Sequence, residues 1–309
     1  MPRYLVTGGA GFIGSHLVHR LLEQGAEVRV LDNFSTGKRE NLSGLEGRLE
    51  VLEGDVRDPA VVEKAVRDVE VVFHQAAFVS VPESIEKPQI CFDVNVAATL
   101  ALFEAARRAG VRRVVFASSA AVYGESDALP LKETAPTQAL SPYSASKRTD
   151  EIYAQLYTQV FGLDVVALRY FNVYGPRQRP DSMYAAAVPI FIRRLLAGKS
   201  VTVFGDGGQT RDLINVRDVV HANLIAAHHP DSPGQIFNVC TGRETRLLDL
   251  LEVLFNLFPN AQKPVFSEAR PGDIYRSVGS ADFIAQRLGF RADVSLEAGL
   301  KETVAWMQA

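Results

Sequence analysis

The sequence predicts an α/β fold, a doubly wound parallel sheet with a smaller α/β lobe at its C-terminal end. Three observations lead there. Short β-branched runs alternate with amphipathic stretches through the first half. A glycine-rich turn stands between the first run and the first amphipathic stretch. The alternation loosens after about Pro176, where turns and short apolar runs take over. Strands alternating with helices build parallel sheets covered on both faces.

Residues 4–7, 28–31, 49–52, 69–73, 114–117 and 165–168 read as strands. Ile13, Leu17 and Leu21 recur on one helical face between the first two. Gly25 is placed to end that helix in a left-handed C′ conformation. Beyond Pro176, a helix begins near Pro189 and ends at 196–198. Residues 201–203, 213–216 and 236–239 read as strands, and 247–258 and 296–307 as helices. No repeat or low-complexity linker interrupts the chain. Two domains are expected, residues 1–175 and 176–309, with segments near 212–240 returning to the first.

With 47% hydrophobic and 22% charged residues, the chain has the balance of a soluble protein with a full core. Lys+Arg of 33 against Asp+Glu of 36 leaves a formal charge of -3, which argues against nucleic acid or an anionic membrane as partner. Cys91 and Cys240 have no CxxC spacing, so neither a disulfide framework nor a metal site is expected. His228-His229 lacks a third ligand and reads as a helix end. His74, after the fourth strand, reads as structural. The sequence shows no apolar run long enough for a bilayer and no signal-peptide pattern, so a cytoplasmic protein is expected.

Thr7-Gly8-Gly9-Ala10-Gly11-Phe12-Ile13-Gly14 follows a strand and opens a helix. Gly8 allows the tight turn, Gly11 lets backbone approach a pyrophosphate, and Gly14 permits close helix packing. The helix N-terminus offers N–H groups to phosphates. Asp32 ends the second strand, where a carboxylate accepts both ribose hydroxyls and repels a 2′-phosphate. The sheet is therefore Rossmann-like and the expected cofactor is NAD. Gly54-Asp55-Val56 is placed to meet an adenine, although a plain strand-end turn reads the same way.

Ser141-Pro142-Tyr143-Ser144-Ala145-Ser146-Lys147 is the second signal. Ser141 caps a helix and Pro142 suits its first turn. Tyr143 and Lys147 then share one face, with Cβ atoms about 5–6 Å apart. A tyrosine near pKa 10 is a poor base, but a neighbouring ammonium and a positive nicotinamide favour the phenolate. The spacing alone also describes an ordinary surface pair. Ser119, at the end of the fifth strand, adds weight, because ligands bind beyond the carboxyl ends of parallel strands.

With these residues in view, the chain resembles the extended short-chain dehydrogenase/reductase family, and within it the nucleotide-sugar 4-epimerases. Thr7 to Gly14, Ser118-Ser119-Ala120-Ala121-Val122-Tyr123-Gly124, Tyr143-x-x-x-Lys147 and Arg169-Tyr170-Phe171-Asn172-Val173-Tyr174-Gly175-Pro176 stand in family order, and the likeness runs through essentially the whole chain. It implies Ser119, Tyr143 and Lys147 as catalytic residues, with Lys147 also holding the nicotinamide ribose. It adds Phe12, Ile13, Asn33, Gln75, Ala76 and Ala77 to the cofactor set, together with Asn95, Ser118 and Tyr170. On the substrate side it implies Asn172, Arg211 and Arg270 at a diphosphate and Asp273 at the nucleotide ribose. The implied reaction is NAD-dependent 4-epimerisation of a UDP-sugar through a 4-keto intermediate.

Relatives that dehydrate carry an acid beside the catalytic hydroxyl, where this chain has Ala120 and Ala121. Arg177 and Arg179 leave a uronic acid 4-epimerase as an alternative, and a non-catalytic dinucleotide sensor is the alternative from another class. Ser277 falls where strict glucose/galactose epimerases carry a tyrosine, so N-acetylated sugars are expected to fit as well. Val79, Ser80, Ala186, Ala187, Val188 and Val203 are expected to line the same cavity. The apolar faces of 94–106 and of the helix after Tyr143 (Ile152, Tyr153, Leu156, Tyr157) suit a homodimer, with intrachain packing the alternative.

Overall fold

The computed structural model describes residues 2–45, 48–180, 187–269 and 274–308. In chain order the strands are β1 (Arg3–Thr7), β2 (Glu27–Asp32), β3 (Leu49–Glu53), β4 (Val71–His74), β5 (Arg113–Ser119), β6 (Asp164–Tyr170), β7 (Asn172–Tyr174), β8 (Thr202–Phe204), β9 (Thr210–Arg211), β10 (Leu213–Asn215), β11 (Ile236–Val239), β12 (Thr245–Arg246), β13 (Val265–Ser267) and β14 (Arg276–Ser277). The helices are α1 (Phe12–Glu23), α2 (Pro59–Ala65), α3 (Val81–Glu86), α4 (Pro88–Phe92), α5 (Ala98–Arg108), α6 (Pro142–Phe161), α7 (Ala187–Leu196), α8 (Val216–His228), α9 (Leu247–Leu257), α10 (Asp282–Leu288) and α11 (Leu296–Gln308).

Seven strands form one parallel sheet in the order β11-β6-β5-β4-β1-β2-β3. Strand alternation explains its two covered faces. Tyr4, Val6, Val28, Val30, Phe73 and Val166 pack with Leu17 and Leu21 of α1 and Val219 and Ala226 of α8. Leu5, Leu31, Val72, Phe116 and Ala167 point the other way, onto α2, α5 and α6. Both sets are apolar because a parallel sheet is buried on both faces. A separate core joins Phe191, Ile192, Val203, Leu250, Leu254, Leu300 and Val304 from α7, β8, α9 and α11.

Helix ends follow the local chemistry. Gly25, at φ +79°, terminates α1 in the left-handed region as expected. Buried Arg113 takes the carbonyls of Ala226 (3.1 Å) and His229 (2.8 Å) at the end of α8. Arg112 adds a bond to the Ala227 carbonyl (3.3 Å), and His228 stands in the last turn with its Nε2 3.3 Å from the Tyr4 hydroxyl.

Some boundaries move. The fourth strand starts at Val71 and runs to His74. The strand expected at 201–203 is shifted one residue, to Thr202–Phe204. One segment, Pro88–Arg108, is long and apolar enough to cross a bilayer by length and composition, which corrects the sequence expectation. Its Leu102, Phe103 and Ala106 are buried against the sheet, so its apolarity serves the core. A π-helical turn, Asp93–Ala97, lies in its middle, a feature frequent at functional sites.

Candidate functional site

The carboxyl ends of β1, β2, β4, β5 and β6 converge on one edge. Gly8 turns at φ +65°, and its N–H donates to the Leu31 carbonyl (2.8 Å). A Cβ there would meet Ala76 N at 2.8 Å, and one at Gly14 would collide with the Gly8 carbonyl oxygen. Gly14 thus lets α1 start against its own loop. Gly11 is the N-cap of α1, with Phe12 and Ile13 beginning the helix, and no side chain caps those N–H groups. This backbone cradle suits a pyrophosphate. The Asp32 carboxylate is oriented by Ala10 N (2.9 Å) and Phe34 N (2.8 Å). Asn33 Nδ2 donates to Asp55 (2.9 Å), and Arg57 holds that carboxyl well below its ordinary range. Val56 is buried beside it. These residues fit a dinucleotide.

At the end of β4, His74 is sandwiched between Thr7 Oγ1 (2.7 Å) and Thr99 Oγ1 (2.9 Å). Burial first, and then the Lys147 charge, lower its pKa to about 3, so the ring is neutral. The following Gln75 meets the Tyr170 hydroxyl (3.2 Å), which also receives Asn223 Nδ2 (2.7 Å). Ala76 N donates to Thr7 Oγ1 (3.3 Å), and Ala77 continues the loop. Asn95, on the π-turn, accepts from Phe78 N (2.7 Å) and donates to Ser146 Oγ (2.9 Å). It therefore ties this loop to α6.

The fifth strand ends at Ser119, which registers with Tyr170 of β6. Ser119 Oγ accepts from Ala121 N (3.1 Å), and its side chain favours the ionised form of Tyr143. Ser118 Oγ points elsewhere and donates to Glu151 (2.7 Å). Ser141 and Ser144 close a reciprocal capping box at the start of α6, with Pro142 in its first turn. Tyr143 is held by its backbone: its N–H donates to Ser84 Oγ (3.2 Å), and its carbonyl accepts from Ser146 Oγ (2.7 Å). Burial raises the Tyr143 pKa, and the Ser119 hydrogen bond opposes that rise. Burial also lowers the Lys147 pKa, while Asp150 opposes. Desolvation therefore pushes both groups toward neutrality.

Beyond Tyr170 the chain enters β7, where Asn172, Tyr174, Ala187, Val188, Phe204 and Arg211 are among the residues lining a cavity of about 420 Å³. Arg211 registers with Ser277 across the parallel β9–β14 pair. Buried Asp212 organises the surroundings: it accepts from Thr241 N (2.8 Å) and Gly242 N (2.9 Å), and its carbonyl accepts from Asn172 N (3.1 Å). Val203 does not line the cavity. The period-2 alternation turns it into the core, and its neighbours Thr202 and Phe204 face the cavity. Val79 is exposed, and Ser80 Oγ caps α3 by accepting from Glu83 N (3.3 Å). Ala186, Arg270 and Asp273 lie outside the described residues.

Sequence reading missed Asn223, Asp212, Thr245 and Arg246. Asn223 carried a signal, a polar residue on the otherwise apolar face formed by Val219, Ala222 and Ala226.

Residues 4–240 match the NAD dependent epimerase/dehydratase family. The chain is 41% identical over 310 residues to the UDP-glucose 4-epimerase of Mycolicibacterium smegmatis, covering 99% of this chain and 98% of the relative. A solved UDP-N-acetylglucosamine 4-epimerase from Methanobrevibacter ruminantium, in complex with UDP-N-acetylmuramic acid, superposes with a TM-score of 0.96 at 38% identity, covering 99% and 98% of the two chains. A UDP-glucose 4-epimerase from Thermus thermophilus, in complex with NAD, matches with a TM-score of 0.89 at 42% identity over 99% of each chain.

Proposed function

Since the chain belongs to the NAD-dependent epimerase/dehydratase family, we propose that it inverts the C4 hydroxyl of a UDP-linked sugar, with NAD held by residues 1–175, to which segments near 212–240 return, and the substrate seated between these and the 176–309 lobe. The observation that carries this reading is the placement of Ser119, at the end of β5, against the Tyr143 side chain of α6, the helix that also carries Lys147, with Asn172 just past Tyr170 lining the cavity. Bound NAD supplies a reversible hydride acceptor for C4. Tyr143 takes the 4-hydroxyl proton while Ser119 holds the reacting oxygen. Asn172 and Arg211 grip the diphosphate, whose planar match to guanidinium leaves the 4-keto sugar free to turn its other face. Tyr143 then returns its proton to O4, while the hydride held by the bound cofactor would go back to C4 on that other face and so complete the inversion. Ala120 and Ala121 put no acid beside Ser119, which supports epimerisation over dehydration.

The test is incubation of purified protein with UDP-galactose and, separately, UDP-N-acetylglucosamine, with the products resolved. Conversion of both is expected, and conversion of neither removes the reading. Ser277, beside Arg211, is the residue we assign to N-acetyl tolerance. Ser277→Tyr is expected to cut N-acetylated turnover by roughly 10–200-fold, the scale of small steric differences in a pocket, and to spare UDP-galactose. Equal turnover of both sugars by that variant would refute the assignment.

We also assign a homodimeric state. The supporting feature is a stripe on α6: Ile152 is 54% and Val160 63% exposed, with Leu156 between them, whereas Tyr157 turns inward. Ile152→Glu with Val160→Glu is expected to yield a monomer by sedimentation, and an unchanged sedimentation coefficient would remove the assignment.

A further inference from the structure

Asp150 is a buried acid that the mechanism above leaves without a task. It lies on α6, one turn beyond Lys147, and is 1% exposed, while Lys147 is 3% exposed. Its Oδ2 has no hydrogen-bond partner. A carboxylate in such a place is costly unless a cation answers it. At i,i+3 spacing the two Cβ atoms stand about 5–6 Å apart, so Lys147 is in reach.

The other groups facing Lys147 do not supply a counter-charge. Glu151 is already engaged by Arg169 (2.7 and 2.8 Å), Arg148 (3.1 Å) and Ser118 (2.7 Å). The Cys91 thiol, from α4, is pushed up by burial and stays neutral. His74, from β4, is a neutral ring. The strand β5 brings only the hydroxyls of Ser118 and Ser119 to this end. From α5, Glu104 sits further along, against Tyr157 and its own helix's Arg107 and Arg108.

We propose that Asp150 is the buried counter-charge that keeps Lys147 an ammonium, making it a positioning residue for proton removal by Tyr143. This inference rests on the roles assigned above to Tyr143 and Lys147. Burial works against the charged forms of both Tyr143 and Lys147, so a Lys147 without a partner holds its proton less firmly and favours the phenolate less. Asp150 also opposes the phenolate directly. It does so across two helical turns, about 10 Å, whereas Lys147 acts across one. The two influences oppose each other, so the direction in which Asp150→Asn moves the acid limb decides between them, a downward move overturning the proposal. Burial, countered by the Lys147 charge, places the Asp150 carboxyl at about 7, so the pair assembles its charges near neutral pH.

The experiment is the pH profile of kcat and KM for the wild type, D150N and D150E, beside a tyrosinate absorbance titration of the NAD-loaded proteins with Y143F as baseline. For D150N we expect the acid limb of kcat to move up by about one pH unit, a tenfold loss near neutrality regained at higher pH. KM is expected to hold, the Tyr143 titration to move with the limb, and D150E to restore much of the loss. A D150N profile within twofold of the wild type overturns the proposal. So does a loss equal at every pH, or a fall in bound NAD or melting midpoint, since the acid would then serve the fold. If Y143F itself turns over normally, the assignment of Tyr143 fails first; a dead Y143F beside a wild-type-like D150N removes this inference alone.

Discussion

Tyr143→Phe is expected to lower kcat by about 10²–10⁴-fold, the usual contribution of a positioned general base, while NAD and UDP-sugar still bind. The substitution removes only the hydroxyl. The backbone of Tyr143 is anchored by Ser84 and Ser146, independently of the phenol. The ring should therefore stay where it is, and KM should change little. Steady-state kinetics together with the NAD content of the purified variant check this. Retention of kcat within tenfold would place the base elsewhere.

The second large effect concerns stability. Glu151→Ala is expected to destabilise the protein by about 3–5 kcal/mol, because it strands a buried cation. Glu151 is 0% exposed and binds Arg169 through both oxygens, and Arg169 is 1% exposed. The guanidinium also donates to the Glu133 carbonyl (3.2 Å) and lies 4.6 Å from the Tyr123 ring centroid. Tyr123 in turn donates to Asn238 (2.6 Å). The ion pair thus fastens α6 to β6 and β11 beneath the candidate catalytic residues. Denaturant melts of Glu151→Ala and of Glu151→Leu/Arg169→Met would measure it. The double variant is expected to recover most of the loss, since it buries no unpaired charge. A single variant as stable as the wild type would mean that water reaches Arg169.

The six strands of the first half were legible because a parallel sheet buries both faces, and continuous β-branched runs are how that requirement appears in sequence. The glycine turn, Asp32, Ser119 and the Tyr143–Lys147 pair were legible for a related reason: each sits at a strand end or helix start whose position those runs define. Val203 was misplaced because a three-residue strand does not show from its own sequence which face meets the cavity; its neighbours Thr202 and Phe204 do, and the alternation turns Val203 inward. The two-residue strands β9, β12 and β14 were invisible, since their pairing comes from distant chain and carries no local period. Buried acids were also hidden. Asp150 and Asp212 look like surface residues until the packing of α6 and of the loops at 241–242 and 279 is known. Pro88–Arg108 shows the converse, a core helix apolar enough to imitate a membrane span.

The seventh strand has a consequence for how this protein is made. β11 pairs with β6 through Ile236↔Ala167 to Val239↔Tyr170, after the chain has passed through β7, α7, β8 and α8. Until that length has left the ribosome, β6 is a bare edge whose unpaired N–H and C=O groups invite pairing with other chains. A nascent chain ending near residue 175 carries the whole glycine cradle and the Tyr143–Lys147 pair, yet holds them on an unfinished sheet. Synthesis of the first half as a separate fragment should therefore give aggregates, and native assembly should wait on the late, long-range closure that β11 provides.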